Sequence, residues 1–193
     1  MTNERIEAGT ECHELKRIVE SHQARFGDDS LLAFLRIHHC ICKNIAREQH
    51  SPAIKQINIC FVQRISQVYS NFESGSCAPR DLSDNWVTAL QAYVADAHSY
   101  YRVLPKLAKA HILDDLPECL YPLDITKQDY DNLFDTIINC LREVLRILSG
   151  QSAADRIFAR LFDSSIGPYK VRDLRERAWN KVQDRKTLAR NAD

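Results

Sequence analysis

The residues best suited to chemistry lie in the run Ala110-His111-Ile112-Leu113-Asp114-Asp115-Leu116-Pro117-Glu118. On a helix His111 and Asp115 stand one turn apart on the same face, beside Leu104, Leu107 and Ala108. An imidazole and a carboxylate on an apolar stripe are costly to bury unless they satisfy each other or a ligand. A carboxylate also fixes the imidazole tautomer and raises its basicity, which suits general-base work or metal ligation. The rival reading is a His–Asp hydrogen bond that only ties two helices together. Asp114 and His38 are the further polar candidates for a catalytic set. His38 sits in the apolar stripe of its own helix and can face His111 across the core, whereas His39 lies at the edge.

Other candidates rank lower. His98 falls one residue off its stripe near Tyr101, and His13, His22 and His50 have no carboxylate at helical spacing, so they read as structural or surface residues. Trp86, Tyr93 and Tyr101 are the expected substrate-contacting rings. The two tyrosines belong to a cluster with Tyr100, Tyr121 and Tyr130, whose rings either pack with their hydroxyls at the rim or line a small-molecule pocket. His111-x-x-x-Asp115 has the ligand spacing of zinc-dependent phospholipase C. The second His-x-x-x-Glu helix and the N-terminal tryptophan of that family are missing, so no resident metal is expected. Asp114-Asp115-x-x-Glu118 is similar to the magnesium-diphosphate motif of terpene synthases, but Pro117 is expected to end the helix and swing Glu118 away. No Walker loop, dinucleotide-binding glycine pattern, G-x-S-x-G elbow or H-E-x-x-H occurs, and no cofactor is expected.

The elements that position these residues are helical. Apolar residues recur at three- and four-residue spacing nearly throughout, and strict alternation is absent. Leu15, Ile18, Val19, His22 and Phe26 line a first helix closed by Gly27, and Ser30 is read as the cap of a second with Leu31, Leu35, His38, Cys42 and Ile45. Ser51-Pro52 opens a third, with Ile54, Ile57, Phe61, Ile65, Val68 and Phe72 on one stripe. A surface loop is expected from Glu73 to Leu82. Ser83 caps a fourth helix running through Trp86, Leu90, Tyr93, Ala97, Tyr100 and Leu104 until Pro105 opens a short fifth, ending near Pro117. Thr126 caps a long sixth with Leu133, Ile137, Leu141, Val144 and Leu148, closed by Gly150. Two more follow, over Ala153–Phe162 and Pro168–Arg190, the last with Val171, Leu174, Ala178 and Val182 inward. About seven or eight amphipathic helices across residues 1–193, with no internal repeat or long linker, predict a single-domain, all-α helical bundle.

Composition narrows the function classes. Twenty-six basic and 26 acidic residues give a formal net charge of zero, without the excess that phosphate backbones demand, so no nucleic-acid partner is expected. No apolar run approaches the ~18–20 residues of a membrane span, and no export signal is read at the N-terminus. Seven cysteines, an odd number with no C-x-x-C pair, read as buried thiols in a reducing cytoplasm, with no disulfide expected.

The run from Ile54 to Asp115 resembles a bacterial family known as domain of unknown function 5995. The resemblance is carried by Phe61, by Trp86 at a helix start and by Ala110-His111-Ile112-Leu113-Asp114-Asp115-Leu116, with Lys109 and Leu113 where that family has Asn. Asp129 to Leu148 is similar to its long helix, and Arg177-Ala178-Trp179 to its closing pattern. The resemblance implies an all-helical domain in which His111 and Asp115 matter, and no particular activity. The expectation is therefore a small-molecule enzyme with an interior acid/base site acting on a small, partly hydrophobic substrate. A non-catalytic helical interaction protein and a metal-assisted hydrolase distantly like zinc-dependent phospholipase C are the alternatives.

Overall fold

Caps and breakers set the element boundaries. A computed structural model describes residues 3–47, 51–74, 82–148 and 166–191, and among them every regular element is helical. They are α1 (Asn3–Phe26), α2 (Ser30–Arg47), α3 (Pro52–Glu73), α4 (Asp84–Ala95), α5 (Tyr100–Ala110), a π-helical turn (His111–Asp115), α6 (Leu116–Leu120), α7 (Lys127–Leu148) and α8 (Ile166–Arg190). The protein is an all-α bundle. Its core is one contiguous cluster drawing on Leu32 and Leu35 of α2, Ile57 and Phe61 of α3, Leu107 of α5 and Leu133 of α7.

Gly27 ends α1 at φ 76°, a left-handed conformation that glycine adopts without penalty. Ser51 accepts the Ile54 amide and precedes Pro52 at the start of α3; Ser83 accepts the Trp86 amide at the start of α4. Thr126 accepts the Asp129 amide at 3.1 Å ahead of α7. These caps stand as expected from sequence. The loop expected over 73–82, His50, Cys77, Gly150 and the helix expected over 153–162 lie largely or wholly outside the described residues, as do the side chains of Val144 and Leu148.

Four local expectations are corrected. Asp29, not Ser30, caps α2: its carboxylate takes the Leu32 amide at 2.7 Å, while Ser30 turns its backbone N–H and hydroxyl onto the Ala97 carbonyl. That tertiary contact draws Ala97 out of any helical ladder, so α4 stops at Ala95 and the break falls well before Pro105, which lies inside α5. Phe26 is exposed rather than inward, with the Arg25 guanidinium over its ring. Finally, Pro117 does not end the helical path. It sits in the first turn of α6, where a missing N–H is tolerated.

The π-helical turn explains that tolerance. The Leu116 amide reaches back five residues to the His111 carbonyl, widening the turn. In an α ladder the Leu113 carbonyl would accept from residue 117, where proline has no donor; here Lys181 of α8 supplies its ammonium instead, at 3.3 Å. Arg185 pairs with Glu118 and lies over Tyr121, and Lys186 donates to the Leu123 carbonyl at 2.6 Å. The basic side of α8 thus clasps the turn that carries His111 together with the α6 segment that follows it.

Candidate functional site

His111 and Asp115 are brought together as their spacing requires. His111 Nδ1–H donates to Asp115 Oδ2 at 2.8 Å, and the two residues are 3% and 7% exposed. The other carboxylate oxygen accepts the indole N–H of Trp86 at 3.2 Å. Two donors on one carboxylate fix its plane, and the carboxylate in turn fixes the imidazole tautomer with its lone pair on Nε2. That Nε2 is buried and has no hydrogen-bond partner among the described residues.

Rings surround it. His38 faces His111 with centroids 4.5 Å apart, as expected from its stripe; Phe61 lies at 4.5 Å and Phe34 at 5.8 Å. Burial first, and then the nearby charge of His111 when it is protonated, hold the His38 imidazole well below its usual value. The His111 imidazole, the Asp115 carboxylate that orients it and the His38 imidazole are therefore buried together. Phe34 and Trp86 also line an apolar hollow of about 10 Å³, no more room than a single water needs.

All but one of the remaining predicted site residues lie elsewhere. Asp114 points away from His111 and accepts from the Ser83 hydroxyl and, at 3.1 Å, from Asn85, so it secures the start of α4. Tyr101 is exposed beneath the Arg102 guanidinium. Tyr93 is buried, but its hydroxyl donates to Asp29 at 2.6 Å, away from the His111 site. Trp86 is at the site as an indole donor to Asp115. Asp114, Asp115 and Glu118 diverge onto three different sets of partners. No group of three or more His, Cys, Asp or Glu side chains is gathered to hold a metal ion among the described residues.

Sequence reasoning missed a second polar knot. His22 Nε2–H donates to both oxygens of Asp29, at 3.0 and 2.9 Å, and Tyr93 and the Leu32 amide complete the carboxylate's partners. Burial alone would raise the Asp29 carboxyl; the His22, Leu32 and Tyr93 donors outweigh it and hold the group below its usual value. The signal was the glycine: a left-handed Gly27 folds the following Asp28-Asp29-Ser30 back over the last turns of α1, so a carboxylate seven residues away meets His22. His98, by contrast, is exposed, its Nδ1 within 3.2 Å of the Asp28 carbonyl.

The cysteines also need correction. Cys60 of α3 and Cys119 of α6 form a disulfide with Cα atoms 5.6 Å apart, against the expectation of thiols alone. A separation of 59 residues carries no spacing signal, and packing of α3 on α6 makes the pair. Cys12, Cys40, Cys42 and Cys140 remain thiols, with Cys42 pushed up to about 12 chiefly by burial. No protein-family model, curated protein or solved structure matches the chain.

Proposed function

We propose that the protein acts on a small, partly hydrophobic molecule through an interior acid/base site in which His111 Nε2 is the base. The observation that supports this reading is the buried Nε2 lone pair left without a partner while Nδ1 is held by Asp115 and Asp115 by Trp86. An orphaned polar atom in a dry interior is costly, and functional sites are where such costs persist. The π-helical turn at the same residues points the same way, since these insertions concentrate at functional positions. His38, kept neutral, is the second polar group, and Phe34 and Phe61 supply the apolar walls. The partner is thus a small molecule, and nucleic acid has no evident footprint on a chain of zero formal net charge.

A second reading is favoured by the filling of the interior: rings pack against His111 from three directions, as in a core that only holds helices together. In that case the protein is a non-catalytic interaction module. Denaturant melts of His111→Ala, set against the fully buried core control Leu133→Ala, separate the two. A Leu→Ala control should lose about 2–5 kcal/mol. On the acid/base reading His111→Ala loses clearly less, and small hydrophobic esters or amides that raise the wild-type melting temperature no longer do so in the variant. Equal or greater loss, with no such ligand, returns the pair to architecture.

Among the described residues no helix is long and apolar enough to cross a membrane. A cytosolic setting is part of the proposal on the strength of the four cysteines that remain thiols, and the Cys60–Cys119 disulfide counts against it.

A further inference from the structure

The geometry points to the Cys60–Cys119 disulfide as a reductively released latch on the His111 site. Cys60 immediately precedes Phe61, whose ring covers His111 at a centroid distance of 4.5 Å. Cys119 lies one turn beyond Asp115, in the short α6 that follows the π-helical turn. The bridge therefore joins the two walls of the compartment, the α3 wall carrying Phe61 and the turn carrying His111 and Asp115. On its far side the turn is held by Lys181 on the Leu113 carbonyl, and the segment that follows it by Arg185 on Glu118 and Lys186 on the Leu123 carbonyl. Cutting the bridge frees the α3 wall while α8 keeps the His111–Asp115 geometry in place.

The exchange has a defined direction. Cys60 is partly exposed and Cys119 is 1% exposed, so an incoming thiolate from a low-molecular-weight thiol meets the Cys60 sulfur. A new sulfur–sulfur bond forms there, the Cys60–Cys119 bond breaks, and Cys119 leaves as a thiolate that takes up a proton. A second thiolate of the reductant then attacks the reductant sulfur of the mixed disulfide. Cys60 is released and protonated, and the reductant departs as its own disulfide, two electrons having passed to the protein. Closed, the latch keeps His111 Nε2 dry and unreachable; open, it gives a small molecule a path between α3 and the turn. The role of such a path rests on the acid/base reading of His111, whereas the opening itself does not.

The test is carbethoxylation by diethyl pyrocarbonate, mapped by peptide mass spectrometry on the wild type equilibrated with glutathione disulfide and on the Cys60→Ser/Cys119→Ser double variant. Exposed His98 reports equal reagent dose, and His22, fully buried, reports unfolding. The expected result is a Cys60–Cys119 peptide in the unreduced wild type and a His111 modification rate about ten-fold or more higher in the variant, with His22 silent in both. An unchanged His111 rate overturns the latch. So does a rise at His22 matching that at His111, since the bridge would then staple the whole fold, and so does absence of the bridged peptide. Loss of the acid/base reading shows in the ligand and stability measurements above and leaves this accessibility readout untouched.

Discussion

His38 carries a proton only at the expense of the fold. Its imidazole is depressed by burial and by His111, so the unfolded chain takes up a proton first as pH falls. The stability associated with neutral His38 is complete above about pH 6.5 and declines below it, by up to about 1.4 kcal/mol per pH unit. The groups around it are the facing His111 with Asp115 behind it and, on its own helix, Phe34 and His39. His39 is lowered too, by burial and by Lys43 and Lys16, so the comparison must separate them. Urea melts between pH 7 and 5 should show a shallower acid slope for His38→Gln than for wild type, with His39→Gln as reference. Equal slopes would remove His38 as the titrating group. The pairing of His111 with Asp115 and its approach to His38 were legible because helical spacing places side chains by arithmetic. The indole bond from Trp86 was not, because a donor 29 residues away meets Asp115 only through the packing of α4.

At the scale of elements, α4 performs two parallel tasks. Trp86 donates to the carboxylate that orients His111, and Tyr93, seven residues on along the same face, donates to the carboxylate that holds His22. The Asp29 knot joins α1, the start of α2 and α4. Removing one hydrogen bond to that charged group, as in Tyr93→Phe, should cost about 1.5–3 kcal/mol. The lowered Asp29 carboxyl adds an acid limit: its contribution is present above about pH 3.8–3.9 and disappears as pH falls through the lower folded value. Thermal melts of Tyr93→Phe at neutral pH check the first; an unchanged melting temperature would mean water replaces the phenol. The helices themselves were readable because serine, threonine, proline and glycine mark their ends. The places where reading failed share a cause. At Ala97 a contact from Ser30 outcompeted the ladder, and at Pro117 the π-helical turn and Lys181 absorbed a residue that ordinarily breaks helices.

Across the whole molecule, the His111 turn and the α6 segment after it are held by elements distant in sequence: the turn by Trp86 of α4 and Lys181 of α8, and α6 by the disulfide to α3 and Arg185 of α8. None of those ties has a sequence period, which is why the bundle was legible and the site's enclosure was not. The π-helical turn has a consequence of its own for how the chain tolerates insertion and deletion. Such a turn holds one residue more than the α ladder around it. Deleting Leu113 would return the stretch to an α ladder in which Pro117 follows Ile112 by four residues, where its ring meets that carbonyl and offers it no N–H, at a cost of about 3 kcal/mol. Because the wide turn absorbs the extra residue, side chains beyond the deletion would keep their faces. Asp115 would stay on the side of His111, and the Cys119 sulfur would stay on the side of Cys60. A one-codon loss should therefore lower the melting temperature while retaining the unreduced Cys60–Cys119 peptide, and absence of that peptide in the deletion variant would show that the extra residue sets the phase of the site.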